Sequence, residues 1–75
     1  MDARRYAVVF ERGESNYSAY VPDLPGCISV GESLEDIERN IREAIALYLD
    51  ELRNDGKPAP EPVTRVEYVE ASPGA

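Results

Sequence analysis

Histidine is absent from this 75-residue chain, and cysteine occurs once, at position 27. A lone thiol cannot close an internal disulfide, and without histidine a zinc site lacks its usual ligands. Positive charge is also sparse: 8 Lys and Arg against 15 Asp and Glu leave a formal net charge of −7. A phosphate backbone repels such a chain unless its few bases cluster. Arg4 and Arg5 are adjacent, but Arg39, Arg42 and Arg53 are interspersed among acidic residues of one helical stretch. Direct nucleic-acid binding is therefore not expected, and a basic protein partner fits the charge better. No apolar run approaches the roughly 20 residues that a membrane span requires. The first residues are polar and strand-like rather than a charged start leading into an apolar run, so no signal peptide is expected. The chain reads as soluble and cytoplasmic, and a single cysteine agrees with a reducing compartment.

What is present is a globular composition, 43% hydrophobic, spread over strand-like and helix-like segments. The length suits one small domain, residues 1–70, followed by a flexible tail over 71–75. A domain of this size is marginal alone, and with disulfide and metal closed to it, oligomerisation is the expected support.

Residues 5–11 alternate Tyr6, Val8 and Phe10 against Ala7 and Val9, the period of a strand. The polar run 12–16 reads as a hairpin loop in which Gly13 is free to take positive φ. Residues 17–21 return as a second strand, which Pro22 ends because it cannot donate to a ladder. Leu24-Pro25-Gly26-Cys27 carries Pro and Gly where a type II turn needs them. A third short strand runs from Cys27 to Val30, with Cys27 read as a small buried apolar residue. Ser33 is placed as a helix N-cap, with Asp36 three positions on as a short-armed capping box. The helix is predicted over Leu34 to Asn54, with Leu34, Ile37, Ile41, Ala44, Ile45, Tyr48 and Leu52 on one stripe and Leu47 opposite it. Glu35–Arg39 and Glu38–Arg42 sit at i,i+4 spacing on the wet face. Gly56 terminates the helix, Pro58, Pro60 and Pro62 form a stiff connector, and Val63 to Glu70 alternates again as a fourth strand.

The fold class is thus α+β, order β-β-β-α-β: an antiparallel three-stranded meander, one long helix and a fourth strand. One helix covers one sheet face. Tyr6, Val8, Phe10, Tyr20 and Tyr68 are read as a set that cannot share that face with Ala7, Val9, Ala19 and Val21. One apolar set then faces outward, and such a patch marks association. The candidate association residues are Tyr6, Val8, Phe10 and Tyr20, with Asp23, Leu24 and Pro25 of the turn. Asp23 in that turn has an ordinary structural role as a backbone hydrogen-bond acceptor. No residue is assigned to catalysis, to a metal or to a cofactor.

The run Tyr17-x-Ala19-Tyr20-Val21-Pro22-Asp23-Leu24-Pro25-Gly26-Cys27, followed by Gly31-Glu32-Ser33-Leu34-Glu35-Asp36, resembles the signature of HicB-type antitoxins. The likeness extends through the helix residues Glu43, Ala44 and Leu47 to Leu49, past Gly56 and the prolines, and covers Tyr6 to about Val69. Asn16 stands where the family often carries glycine, a substitution the backbone tolerates. Many members continue into a helix-turn-helix or ribbon-helix-helix that binds operator DNA; these residues contain no such module, and operator binding is not expected of them. The resemblance implies a partial ribonuclease-H-like fold, self-association as dimer or tetramer, and neutralisation of a small basic HicA-type toxin that cleaves messenger RNA. It implies no cofactor and no small-molecule substrate.

Two other functions are weighed beside this one. A metal-dependent nuclease of ribonuclease-H type needs converging carboxylates on the central strand, the helix and a later strand. The first strand instead carries valine and phenylalanine at its centre, with Glu11 only at its end. A stand-alone oligomeric scaffold without a toxin partner is the other alternative.

Overall fold

The computed structural model describes residues 4–74. The expectations for the start of the chain and for Ala75 in the tail lie outside the described residues. Three strands and one helix follow in chain order: β1 (Val9–Arg12), β2 (Tyr17–Tyr20), β3 (Ile28–Gly31) and α1 (Leu34–Asn54). The strands form one antiparallel sheet in the order β1-β2-β3.

The first hairpin closes through the Gly13 N–H donating to the Asn16 carbonyl at 2.7 Å. Gly13 does not adopt the positive φ expected of it. Its contribution is room, since a Cβ there would lie 3.2 Å from Asn16 Oδ1 and 3.3 Å from the Asn16 carbonyl oxygen. The second connection uses two successive turns, Leu24 N–H to the Val21 carbonyl at 3.0 Å and Cys27 N–H to the Leu24 carbonyl at 2.9 Å. Gly26 at φ 83° supplies the left-handed residue that a type II turn demands. The double turn folds Leu24 inward, and its side chain is fully buried.

Helix α1 starts and ends where local chemistry directs. Ser33 Oγ accepts from the Asp36 N–H at 3.1 Å, satisfying one of the unpaired donors of the first turn. The reciprocal half of the capping box is absent, because the Asp36 carboxylate accepts from Arg39 at 3.0 Å. Arg39 thus pairs at i−3 rather than with Glu35, and Arg53 likewise pairs with Asp50. At the other end, Lys57 N–H reaches the Leu52 carbonyl and Gly56 N–H reaches that of Arg53. These are the paired 6→1 and 5→2 closures that a left-handed C′ residue permits, and Gly56 has φ 72°.

The helix packs on β3 and β2. The buried core is Ala19, Val21, Leu24, Cys27, Ile37 and Ile41, with Tyr6, Val8, Tyr17, Ala44, Ile45, Tyr48 and Leu49 packed around it. Gly31 lets the end of β3 lie close against the first turn of the helix: a Cβ there would lie 2.7 Å from the Ile37 nitrogen. Leu34, assigned to the stripe by spacing, is 53% exposed.

The fourth strand is not formed among the described residues. After the helix, the chain crosses back to the N-terminal segment, where the Tyr6 hydroxyl donates to the Pro60 carbonyl at 2.6 Å and Arg4 pairs with Glu61 at 3.1 Å. From residue 61 onward every described residue is exposed, and 63–70 has no strand partner. A strand is defined by its ladder, and the segment leaves the body without meeting one. The resulting molecule is elongated, 51 × 29 × 20 Å.

Candidate functional site

Cross-strand partners in an antiparallel pair lie on the same face. Phe10 opposes Ala19, which opposes Ser29, and Ala19 is buried, so this row faces the helix. Val9–Tyr20–Ile28 and Glu11–Ser18–Val30 form the two rows of the opposite face. No element of the described chain covers them. Tyr20 is 41% exposed, Ile28 69% and Val30 60%. The outward apolar patch is therefore Val9, Tyr20, Ile28 and Val30.

This corrects the grouping read from the sequence. Tyr6 and Val8 pack against the core on the helix side, and Phe10 lies on that same side at the open margin of β1. They are separated from Tyr20 by the thickness of the sheet. Leu24 belongs to the core, so its side chain is withdrawn from any surface, while Pro25 is exposed at the tip of the turn. Ile28 and Val30 were missed because a four-residue strand carries too little alternation to show which side is covered.

Asp23 has a role beyond its own turn. One carboxylate oxygen accepts from the backbone N–H groups of Val63 at 3.0 Å and Thr64 at 2.9 Å, and the other from the Thr64 hydroxyl at 2.7 Å. These bonds favour the ionised form and hold the carboxyl below the usual carboxylate range, the Thr64 N–H contributing most and its hydroxyl next. The residue fastens the returning segment 40 positions away in sequence. Cys27 is buried, and that burial pushes its thiol up, as for an inert core cysteine rather than an activated one.

A groove of about 330 Å³ opens between β1 and α1, lined by Val8, Phe10, Glu38, Ile41, Arg42 and Ile45. On the flank of the helix nearest β3, Leu47 is 67% exposed beside a shallow depression shared with Gly26, Ile28 and Tyr48, not opposite the apolar stripe as its spacing suggests. Among the described residues, no three His, Cys, Asp or Glu side chains gather closely enough to hold a metal ion. No helix among them is long and apolar enough to cross a membrane. The arrangement offers surface for another macromolecule: an apolar sheet face on a strongly acidic body.

Comparison with known proteins gives this surface a context. A 53% identical stretch of 47 residues is shared with a UPF0150 protein of Helicobacter pylori, covering 63% of this chain and 65% of that one. An uncharacterized 14.9 kDa protein from the rep-hol intergenic region of Haemophilus phage HP1 is 30% identical over 64 residues, covering 85% of this chain and 48% of its own length. The chain thus spans less than two thirds of either relative. Among solved structures, a chain of a HicA3 and HicB3 toxin-antitoxin complex superposes with a TM-score of 0.68 at 32% identity, over 80% of this chain and 70% of that one. The model of the HicB-like antitoxins of bacterial toxin-antitoxin systems matches residues 6–74. The chain belongs to the HicB-like antitoxin family.

Proposed function

We propose that this protein is a non-catalytic antitoxin that binds a small basic HicA-type toxin and blocks its access to messenger RNA. The toxin's seat is the outward sheet face around Tyr20, Ile28 and Val30, with the exposed Pro25 at its border. The observation that carries this reading is the apolar patch left uncovered on a chain of net charge −7. Acidic charge steers a basic partner into encounter, and desolvated apolar and aromatic contacts hold the complex once formed. The HicA3 and HicB3 complex, which a chain of similar fold enters, supports a toxin partner. Residues 1–70 act in this reading as one HicB-like domain of partial ribonuclease-H-like type with 71–75 as its tail, in the cytoplasm where the toxin meets its RNA.

The test is binding and growth rescue with a HicA-type toxin. Tyr20→Asp and Ile28→Asp change exposed residues, so helix content and melting should hold while toxin affinity falls at least ~10-fold, the scale of an interface anchor. The association rate should fall steeply with added salt. Tight binding that ignores both substitutions would remove the sheet face as the toxin site, and no binding to any such toxin would favour the scaffold reading.

A further inference from the structure

We propose that Val63–Glu70 is an exchange arm: it becomes the fourth strand by adding to the free edge of β1 in a second copy of this chain. The arm has a strand's pattern but no strand's partner. Thr64, Val66 and Tyr68 alternate with Val63, Arg65, Glu67 and Val69. Val66 is 58% exposed, Val69 81% and Tyr68 fully so. Among the described residues, only Val63 and Thr64 of the arm are held to the body, through Asp23. Beyond them the arm carries apolar β-branched and aromatic side chains into water, a state that association relieves.

The receiving edge follows from the hydrogen-bond phase. In antiparallel pairs, bonded and non-bonded partners alternate. Gly13 is bonded to Asn16, so Glu11–Ser18 and Val9–Tyr20 are the bonded pairs of the β1–β2 register. The backbone N–H and C=O of Phe10 and Arg12 therefore point away from β2, to an edge nothing covers among the described residues. The same reasoning from Val21 and Cys27 turns Ile28 and Val30 toward the free side of β3. There the Asn40 side chain already donates to the Val30 carbonyl at 2.8 Å, so β3 is blunted and β1 is open.

Beside the β1 edge lies the groove lined by Phe10, Ile41 and Ile45. An arm laid along β1 presents alternate side chains to it. Thr64, Val66 and Tyr68 form the uncharged set that fits, leaving Arg65 and Glu67, which pair with each other at 2.9 Å, on the opposite side. The arm's base is held at Asp23, and its remaining residues are exposed and pair with no strand among the described residues, so the edge assigned to receive them is that of another molecule. A core of six buried residues among those described is also what a second copy would reinforce.

The inference does not rest on the antitoxin reading, and sedimentation without any toxin tests it. The wild-type chain should sediment as a dimer whose dissociation responds to dilution. Val66→Pro breaks the extended ladder at an arm residue that pairs with no strand among the described residues, and should raise the dissociation constant roughly 100-fold or more with unchanged circular dichroism. Phe10→Pro, at an outward N–H, should do the same from the edge side. Mixing the two variants should restore part of the dimer, because the pair retains one intact arm and one intact edge. Should Phe10→Pro fail to fold, Val66→Pro decides alone. A wild-type monomer at every concentration, an undiminished dimer in Val66→Pro, or folded variants that fail to complement would overturn the proposal.

Discussion

Replacing Gly31 with alanine adds one carbon where the end of β3 meets the first turn of α1. The new Cβ would stand 2.7 Å from the Ile37 nitrogen, 3.0 Å from its Cα and 3.1 Å from the Asp36 carbonyl carbon. All three are backbone atoms of the helix, so no rotamer change relieves the contact, and the helix must slide off the sheet. Overpacking of this kind costs about 1–3 kcal/mol. The reduced freedom of the unfolded chain offsets about 0.4–1 kcal/mol of that, leaving a net loss of at most about 2.6 kcal/mol, centred on about 1.3 kcal/mol. For a chain of this length each kcal/mol moves Tm by roughly 4–8 °C, so a drop of roughly 5–10 °C is expected at fixed protein concentration.

Gly26 is the control, because its φ is +83° and nothing lies within 4 Å of an added Cβ. Alanine there is strained by backbone conformation, and asparagine, which tolerates that region, should recover much of the loss. At Gly31 asparagine should be worse than alanine, since the obstruction is steric. Thermal melts of the four variants separate the two causes. An unchanged Tm for Gly31→Ala would refute the close approach on which the sheet–helix packing is built.

Leu24→Ala empties a fully buried position and should lose about 2–5 kcal/mol, read as a lower urea midpoint with little change in slope. Ser33→Ala removes the acceptor for the Asp36 N–H and should cost about 1 kcal/mol, with Ser33→Asp close to wild type; equal melting of all three proteins would discount the cap. The Asp23 clamp should be pH-dependent in one direction. Its folded pKa lies below the ordinary 3.8, so its contribution is complete above that value and is lost as pH falls through the lowered one. Amide exchange at Val63 and Thr64 should accelerate only below pH 3.8, and Asp23→Asn should abolish that dependence; loosening centred at neutral pH would contradict the assignment.

Much of the fold was legible because its signals are local. Ser33, the 3.6-residue stripe from Ile37 to Tyr48 and Gly56 mark the helix within its own residues, and the observed bounds, Leu34–Asn54, are those the spacing predicts. Pro25-Gly26 likewise names its turn. The candidate site was less legible. Alternation tells which residues of one strand share a side, but not which side of the next strand they join. Phe10 and Tyr20 both read as outward until the register set Phe10 opposite Ala19 and Val9 opposite Tyr20. One residue of slip would have reversed the result.

The linear order of residues by itself determined the acidic charge, the single cysteine and the lack of histidine, the capped helix and the rigid turn, since each depends on composition or on neighbours a few positions apart. Tertiary structure alone decided that Leu24 is core and that Ile28 and Val30 look outward. It also decided that Asp23 reaches across the fold to Thr64 and that Gly31 touches the helix backbone. Those outcomes depend on how the strands and the helix are seated against one another, which only the closed register and the docked helix define. Whether Val63–Glu70 is a strand belongs to the same class: the pattern is written in the segment, but a strand exists only when an edge is there to receive it.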